Sequence, residues 1–287
     1  MSTATAYTLY NMKAIHVNST APFFSRNKDK PYSIESFSLY CTVISALQWR
    51  KMNGEIYMIT DSIAADYYRS LGIESVWNGV LPLLPTDLEG IDADTFWAAG
   101  KLLALRDFDD TAALVDEDFI VWEKLELPEN AVTVAHREYL SPDVYPDPRH
   151  FGARNFPILE QLDMEALACN TAFLYIPDKS FRQFYLSHAI AFMKSMGKSG
   201  DRLCPMVFAE QRLLGMLCAY TGTNVNTLMD QDRLFIAQEK YTHLWGAKQA
   251  MRDNEEYRNK FIEKCKKRIE NDFPDYKFVI EAIETNC

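Results

Sequence analysis

The sequence LVDEDFIVW at residues 114–122 places three carboxylates between two apolar runs. The uncharged run Thr111–Val115 predicts a strand, with Asp116 directly at its carboxyl end. In an extended chain, residues i and i+2 point to the same side, so Asp116 and Asp118 are expected to converge while Glu117 points away. Two like charges held together are costly unless a cation neutralises them, and such oxygen ligands suit Mg²⁺ or Mn²⁺. The pattern therefore predicts a divalent-cation site, with a solvated acidic turn as the alternative.

A second acidic cluster lies just upstream, at Asp107, Asp109 and Asp110. It precedes the predicted strand and would lie at the amino end of that strand. Ligands of open α/β sheets bind beyond the carboxyl ends of the strands. Topology therefore favours Asp116 and Asp118, and we interpret the upstream cluster as a solvated turn between a helix and the strand.

Segments with strand character alternate with segments at helical spacing along the rest of the chain. This alternation predicts an α/β fold with a mainly parallel, Rossmann-like sheet and helices on both faces. The predicted strands are Met12–Val17, Glu55–Thr60, Thr111–Val115 and Ala168–Ile176. The predicted helices are Ile34–Lys51, Ser62–Leu71 with Ser62 as cap and Gly72 as stop, one that begins at Asp92 or Asp94 and contains Lys101, one that follows Asp178, Pro205–Leu217 and Asn254–Glu270.

A second motif lies much later in the chain, in the sequence YTHLWGAK at residues 241–248. A neutral His243 is a good metal ligand, Gly246 permits close backbone approach, and Lys248 can neutralise a phosphate. The alternative is a strand end with a hydrogen-bonded core histidine and a surface lysine.

The composition narrows the classes of partner. The chain has 30 Lys and Arg against 40 Asp and Glu, a net charge of −10, so no nucleic-acid partner is expected. The six cysteines show no CxxC spacing, which predicts reduced thiols rather than a disulfide framework or a zinc site. The amino-terminal stretch lacks a signal-peptide pattern, and no run is long and apolar enough to span a membrane. A cytoplasmic protein is expected.

The two motifs, in this order, resemble those of GT-A-fold glycosyltransferases, and the chain is similar to the glycogenin-like, nucleotide-sugar-dependent retaining enzymes. In that family an aspartate-x-aspartate ends a central strand, and a late HxxGxxK motif supplies a third metal ligand and a lysine for the diphosphate. The resemblance assigns Asp116, Asp118 and His243 to a Mn²⁺ or Mg²⁺ ion. It assigns Asp116, Gly246 and Lys248 to binding of the donor, although Lys248 stands one position earlier than the lysine of the motif.

Weaker matches extend the resemblance over most of the chain. Lys101 lies before the DxD strand, where the family has a donor-binding basic residue, and Asp61 ends the second strand, near the expected nucleoside. Asn170 resembles a residue that contacts the sugar, and Glu210, in the pair Glu210-Gln211, resembles an acidic residue near the acceptor, so both are candidate catalytic residues. The structural alternatives are a surface lysine at 101, a backbone-bonding amide at 170 and a first-turn helix acid at 210.

No linker or repeat marks a domain boundary, so one GT-A-like domain over residues 1–287 is expected. The resemblance divides it into a nucleotide-binding half at 1–122 that ends in the DxD, an acceptor and metal half at 123–249, and a helical tail at 250–287. A Pro-rich segment at 140–157 predicts a long irregular loop, of the kind that often forms a lid.

The resemblance implies metal-dependent transfer of a sugar from a nucleoside diphosphate sugar to a hydroxyl of a glycan, a lipid-linked acceptor or a protein. Two alternatives stay open: a metal-dependent phosphohydrolase, since DxD at a strand end also serves phosphoryl chemistry, and a catalytically inactive protein that binds nucleotide sugars. The basic run KCKKR at 264–268 is typical of a solvated helix face, with a peripheral contact to an anionic membrane as the alternative.

Overall fold

The computed structural model describes residues 12–151, 156–234 and 238–286. In this part of the chain the strands are β1 (Ala14–Asn18), β2 (Ile56–Thr60), β3 (Gly79–Leu81), β4 (Ala113–Val115), β5 (Phe119–Val121), β6 (Ala131–Glu138), β7 (Ala168–Tyr175), β8 (Asn224–Thr227) and β9 (Tyr241–His243). The helices are α1 (Ala21–Arg26), α2 (Ser36–Met52), α3 (Ser62–Leu71), α4 (Ala99–Asp107), α5 (Lys179–Met196), α6 (Cys204–Val207), α7 (Leu213–Thr221), α8 (Ala247–Asp253), α9 (Glu255–Asp272) and α10 (Phe278–Asn286).

Within the described residues, seven strands form one sheet in the order β3-β2-β1-β4-β7-β6-β8, and β5 pairs with β9 in a separate two-stranded sheet. The strands from β3 to β4 are parallel to one another, as are β6 and β8, whereas β7 runs antiparallel to both of its neighbours. The predicted α/β fold with a mainly parallel sheet is confirmed.

Helices cover both faces of the large sheet. Successive side chains of a strand point to opposite faces, so Ile15 and Leu114 join a core with α4, α5 and α7. Their neighbours Ala14 and Val115 join a second core with α2, α3, α9 and α10. The central strands are therefore buried on both faces, which explains why their sequences are apolar runs rather than alternating patterns.

The cap of α3 differs from the prediction. The carboxylate of Asp61, and not the hydroxyl of Ser62, accepts the capping hydrogen bond, from the Ala64 N–H at 3.0 Å. The predicted stop is confirmed, since Gly72 ends the helix with φ at 69°, a conformation that glycine adopts without a steric penalty.

Helix α4 begins later than predicted, at Ala99 rather than at Asp92 or Asp94. Asp92 does accept a hydrogen bond, from the Thr95 N–H at 2.8 Å, but this bond closes a turn before the helix. An aspartate caps a turn and a helix by the same contact, so the sequence pattern does not distinguish the two.

Five strands within the described residues were not among the predicted strands: β3, β5, β6, β8 and β9. Strand β9 does match the strand end that was the alternative for residues 241–248. Four of the five strands have three or four residues, which is too short to show a period. The eight residues of β6 are almost all buried, polar His136 among them, so this strand has no alternation of polar and apolar residues.

The described part of the Pro-rich segment is held against the helices that follow it. Tyr145 is buried, and the Arg212 guanidinium donates to the carbonyl oxygens of Tyr145 and Pro146, each at 2.7 Å. Arg212 stands at the end of a π-helical turn, Phe208–Arg212, between α6 and α7. Residues 152–155 of the predicted loop lie outside the described residues.

The predicted helical tail forms α9 and α10, and it is part of the second core. Its buried side chains are Cys265, Ile269, Phe273, Val279 and Ile283. No described helix has both the length and the apolar character that a membrane span requires.

The basic run at 264–268 makes several contacts within the chain. Lys266 pairs with Glu263 and Glu284, at 2.9 Å and 2.5 Å, and Arg268 lies 4.6 Å from the centre of the Trp122 ring. These contacts favour a structural role for the run, in line with the solvated helix face.

Candidate functional site

The order of the sheet reverses at β1. The chain runs from β1 to β2 and β3 on one side and then places β4 on the other side of β1. Such a switch point leaves a crevice beyond the carboxyl ends of the two strands, where ligands of open α/β sheets bind. Ser19 follows β1 and Asp116 follows β4, so the DxD lies at this crevice.

The two aspartates converge for a reason that differs from the predicted one. Strand β4 ends at Val115, and the Phe119 N–H donates to the Asp116 carbonyl oxygen at 2.9 Å, which makes a tight turn rather than a continued strand. The turn still brings both carboxylates to one place, while the Glu117 side chain points elsewhere.

The late motif reaches the DxD through the small sheet. Strands β5 and β9 are antiparallel, with His243 directly opposite Phe119, the residue that follows Asp118. Ligand atoms of Asp116, Asp118 and His243 consequently all lie within 4.8 Å of one another. Among the described residues this is the one group of His, Cys, Asp and Glu that meets a metal-binding geometry; the upstream acidic cluster is not part of it.

Lys101 lies at the first aspartate. Its ammonium nitrogen is 2.6 Å from Asp116 Oδ1 and 2.8 Å from Glu210 Oε1. Burial opposes the charge of Lys101, but the two carboxylates outweigh it and hold the pKa of this lysine above its usual value. Burial, together with the charges of Asp118 and Glu210, raises the pKa of Asp116. The sequence-predicted Lys101, Asp116 and Glu210 therefore form one ion cluster.

Lys248 lies at the second aspartate, despite its shifted position in the motif. Its ammonium nitrogen is 2.8 Å from Asp118 Oδ2, and His243 Nε2 is 3.8 Å from Asp118 Oδ1. Burial alone would raise the pKa of Asp118, but Lys248 and His243 outweigh it and lower that pKa. Asp118 is therefore an ionised carboxylate with a cation in contact.

The donor set fits a divalent cation. Two carboxylates and one imidazole are donors that suit Mn²⁺, and the three side chains are close enough to hold one ion between them. Burial lowers the pKa of His243, which keeps the ring neutral as a ligand requires. His243 Nδ1 is buried without a hydrogen-bond partner among the described residues. A metal ion or a water molecule bound to this nitrogen would satisfy it.

Glu117 points away from this cluster and has its own partners. Its carboxylate accepts hydrogen bonds from Asn18 Nδ2 at 3.3 Å and from the Tyr68 hydroxyl at 3.2 Å. Burial raises the pKa of Glu117 to about 7. Asn18 and Tyr68 could not be singled out from the sequence, because each makes its contact only in the folded chain.

Two cavities meet at the DxD, and they share Ser19, Glu117, Asp118 and Lys248. The first, of about 600 Å³, is called the Tyr32 cavity, and its other lining residues include Phe23, Tyr32, Ser36, Thr42, Arg252 and Asn286. The second, of about 380 Å³, is called the Trp97 cavity, and its other lining residues include Arg26, Trp97, Gly100, Lys101, Asp116 and Arg202. The shared wall thus carries the carboxylates of Glu117 and Asp118 and the ammonium group of Lys248, with open space on each side.

Asp61 lies behind this wall rather than on it. Its carboxylate is fully buried and accepts hydrogen bonds from the Thr20 N–H at 2.6 Å and the Thr20 hydroxyl at 2.9 Å, besides its capping bond to α3. Asp61 therefore fixes the segment after β1, next to Ser19, which lines both cavities. The predicted contact between Asp61 and a nucleoside stays a prediction.

Asn170 belongs to a neighbouring network. Its amide nitrogen donates to Glu138 Oε1 at 2.6 Å, and its amide oxygen accepts from the Ala172 N–H at 3.1 Å, the backbone role that was its structural alternative. The Tyr145 hydroxyl lies 2.6 Å from Glu138 Oε2 and 2.6 Å from Gln211 Oε1. The network therefore ends beside Glu210, on the π-helical turn. Sequence reasoning missed Glu138 because it lies on the unpredicted β6.

Gly246 directly precedes α8, where an added Cβ would meet nothing within 4 Å. Trp245 before it has φ at 28°, which is rare for a residue with a side chain, and its ring stacks on His243 at a centroid distance of 6.0 Å. The strained residue lies beside the proposed metal ligand, as such residues often do at functional sites.

Known proteins offer little sequence similarity. Neither protein-family models nor curated proteins match this chain. Among solved structures, the chain is similar to the galactosyltransferase LgtC in complex with donor and acceptor sugar analogs, with 10% sequence identity and a TM-score of 0.35. The similarity covers 69% of this chain and 70% of that one. A similarity of this size assigns neither a family nor an activity to the chain.

Proposed function

We propose that the chain is a metal-dependent GT-A-type glycosyltransferase, which transfers a sugar from a nucleoside diphosphate sugar to a hydroxyl acceptor. One observation carries the proposal. Asp116, Asp118 and His243 meet at the switch-point crevice, with Lys101 and Lys248 in contact with the two aspartates. A cation-binding trio flanked by two lysines is suited to a ligand that carries several negative charges.

The trio would hold a Mn²⁺ or Mg²⁺ ion, which when bound supplies positive charge to neutralise the leaving diphosphate. In the structure Lys101 and Lys248 neutralise Asp116 and Asp118. If the carboxylates turned to a cation, Lys248 would become free to contact phosphate oxygens, while Lys101 would keep its contact to Glu210 and present its remaining donors.

The two cavities would divide the donor between them. With the diphosphate on the shared wall, the nucleoside would lie in the Tyr32 cavity, which has aromatic side chains. The sugar would then lie in the Trp97 cavity, next to Lys101. Glu210, which contacts Lys101, and Asn170, whose network ends at the adjacent Gln211, would orient the sugar and the acceptor. The resemblance to glycogenin-like enzymes supports retention of the anomeric configuration.

We further propose that the chain acts as one catalytic domain, because the trio combines Asp116 and Asp118 of the first half with His243 of the second. The cysteines among the described residues are free thiols, all buried, which supports a reducing, cytoplasmic location.

The first test is whether a nucleoside diphosphate needs a divalent cation to bind. We expect UDP or GDP at ~100 times its dissociation constant to stabilise the protein by about 2.7 kcal/mol in Mn²⁺. In EDTA the stabilisation should vanish, because without a cation Asp116 and Asp118 occupy Lys101 and Lys248, and the chain as a whole is acidic. Thermal unfolding of the wild type, His243→Ala and the control His188→Ala measures this. His188 lies on α5 with its ring bonded to the Phe184 carbonyl, so its loss should leave the cation effect intact.

Equal stabilisation in EDTA and in Mn²⁺ would contradict the proposal. Turnover assays then separate the alternatives. Release of UDP from UDP-glucose or UDP-galactose supports a transferase, hydrolysis of p-nitrophenyl phosphate alone supports a phosphohydrolase, and Mn²⁺-dependent binding without turnover supports an inactive binding protein.

A further inference from the structure

Two arginines at the Trp97 cavity share a single carboxylate. Arg26, at the end of α1, and Arg202, in the loop before α6, each place Nε 3.1 Å from Asp94 Oδ1. Arg202 Nε also donates to the Asp94 carbonyl oxygen at 3.3 Å. Two guanidinium groups against one carboxylate leave an excess of positive charge at this place.

The outward parts of both guanidinium groups are available. The side chains of Arg26 and Arg202 are 41% and 45% exposed, and their terminal nitrogens have no hydrogen-bond partner among the described residues. Guanidinium groups bind phosphates and carboxylates in a bidentate manner, so the pair offers donors for an oxyanion.

Trp97 lies beside the two arginines. Its indole N–H donates to the Arg202 carbonyl oxygen at 3.1 Å, which fixes the ring, and 41% of the residue is exposed at the cavity. A fixed aromatic face next to charged donors suits a ligand that combines the C–H face of a sugar ring with an acidic group.

The excess charge lies at the rim and not in the depth of the cavity. Inside, Lys101 and Asp116 are only 16% and 21% exposed, and the carboxylates of Asp116 and Glu210 neutralise Lys101. The chain as a whole has a net charge of −10. On an acidic protein, this positively charged rim therefore attracts anionic ligands to the Trp97 cavity.

We propose that Arg26, Arg202 and Trp97 bind the acidic group and the ring of an acceptor sugar that carries a phosphate or a carboxylate. This inference rests on the proposed function, since it assigns the deep end of the cavity to the donor and the rim to the acceptor. In the proposed function the metal trio and the two lysines serve the donor diphosphate, whereas the exposed arginine pair lies at the outer edge of the same cavity.

The test is calorimetry with glucose, glucose 6-phosphate and glucuronic acid in the presence of UDP and Mn²⁺. We expect one or both acidic sugars to bind roughly tenfold to hundredfold more tightly than glucose, the difference that a charge-assisted hydrogen bond produces. Comparison of the two acids shows whether the rim prefers phosphate or carboxylate. Arg26→Gln combined with Arg202→Gln should abolish the preference.

Matched variants make the result specific. Arg69→Gln combined with Lys260→Gln removes the same charge from exposed positions elsewhere and should keep the preference. Arg26→Lys combined with Arg202→Lys keeps the charge but loses the bidentate geometry, and should retain part of it. If the glutamine variant fails to fold, the lysine variant still tests the proposal, because lysine can keep the ionic contact to Asp94.

Equal binding of the three sugars by the wild type would overturn the inference. So would a loss of UDP affinity in the arginine variants that matches their loss of acid binding, because the pair would then serve the donor. UDP is titrated first in every variant. Absence of Mn²⁺-dependent UDP binding in the wild type overturns the proposed function itself, whereas normal UDP binding without acid preference overturns only the rim assignment.

Discussion

Asp118 and Glu117 are adjacent carboxylates with opposite surroundings. Asp118 contacts Lys248 and approaches His243, whereas Glu117 accepts hydrogen bonds from Asn18 and Tyr68. We expect Asp118→Asn to weaken Mn²⁺ binding by more than about 100-fold. Even the loss of a residue that only hydrogen-bonds to a metal ligand typically lowers metal affinity by about 10–100-fold. Glu117→Gln should change Mn²⁺ affinity only by a small factor. Calorimetry with Mn²⁺ alone measures both affinities.

This comparison should be made near pH 8. Because burial raises the pKa of Glu117 to about 7, its carboxyl group is mostly ionised only above that value. At pH 8 each substitution removes one negative charge, so a difference between them reflects position and not net charge. Equal losses in Asp118→Asn and Glu117→Gln would refute the metal assignment and support a solvated acidic turn.

His16 makes the stability of the core depend on pH. It is fully buried, Trp77 Nε1 donates to its Nδ1 at 3.3 Å, and its Nε2 lies 3.1 Å from the Ser45 hydroxyl, which donates to the Phe119 carbonyl oxygen. A neutral ring satisfies this chain of hydrogen bonds, and a second ring proton has no acceptor. Burial accordingly lowers the pKa of His16 to about 3.

The sign of the pH effect follows from proton uptake. Below pH 6.5 His16 is protonated in the unfolded chain but not in the folded chain. The free energy of unfolding therefore decreases as the pH is lowered, until about pH 3. The slope approaches 1.4 kcal/mol per pH unit, so about 2 kcal/mol should be lost between pH 6.5 and pH 5. Urea unfolding of the wild type and His16→Gln measures the difference. A difference that stays constant over this range would contradict the prediction.

The residues proposed for the site are recognisable in the sequence, but the residues they contact are not. The DxD and the late histidine are recognised by type and order, and the structure brings Asp116, Asp118 and His243 together. Glu138 and the arginine pair show no local signal, since neither has a characteristic spacing to any other residue. Such contacts arise from tertiary packing, which brings distant segments of the chain together.

At the scale of elements, the central strands were predictable and the short ones were not. A buried apolar run such as Ile56–Thr60 is recognisable, because the strand is covered on both faces. The pairing of β5 with β9, which delivers His243, depends on three residues in each strand. Three residues show no period, so only the motif, and not a strand prediction, pointed to this contact.

Gly215 fixes the distance between α7 and the start of β7. An added Cβ would lie 2.1 Å from the Leu167 carbonyl oxygen, and Arg137 donates to that same oxygen at 2.7 Å, so the backbone there has little freedom to move. We expect Gly215→Ala to cost about 3 kcal/mol or more, at the upper end of overpacking effects. Chemical denaturation measures the change in the free energy of unfolding.

Gly200→Ala is the matched control for this prediction. An added Cβ at Gly200 meets nothing within 4 Å, so the same substitution should change stability by less than about 0.5 kcal/mol. If both variants were equally stable, the inferred close contact between α7 and Leu167 would be contradicted.

At the scale of the whole molecule, the two cores on either side of the sheet combine segments from both ends of the described chain, from Ala14 to Ile283. The proposed site uses both predicted halves, and the tail beyond residue 250 completes the second core. The charged surface of α9 hides a narrow buried stripe, which contains Cys265 and Ile269.

Ile283 tests whether the tail belongs to one cooperative unit. It is fully buried on α10, in the core that also contains α2 and the neighbours of the DxD. We expect Ile283→Ala to cost about 2–4 kcal/mol and to shift a single unfolding transition seen equally by tryptophan fluorescence and near-UV circular dichroism. The exposed Glu281, two positions earlier, is the control, and Glu281→Ala should leave the midpoint nearly unchanged. If the tail were instead a peripheral helix, Ile283→Ala would leave the main transition in place. Hydrogen exchange would then show loss of protection confined to α10, and the chain would not act as one domain up to this helix.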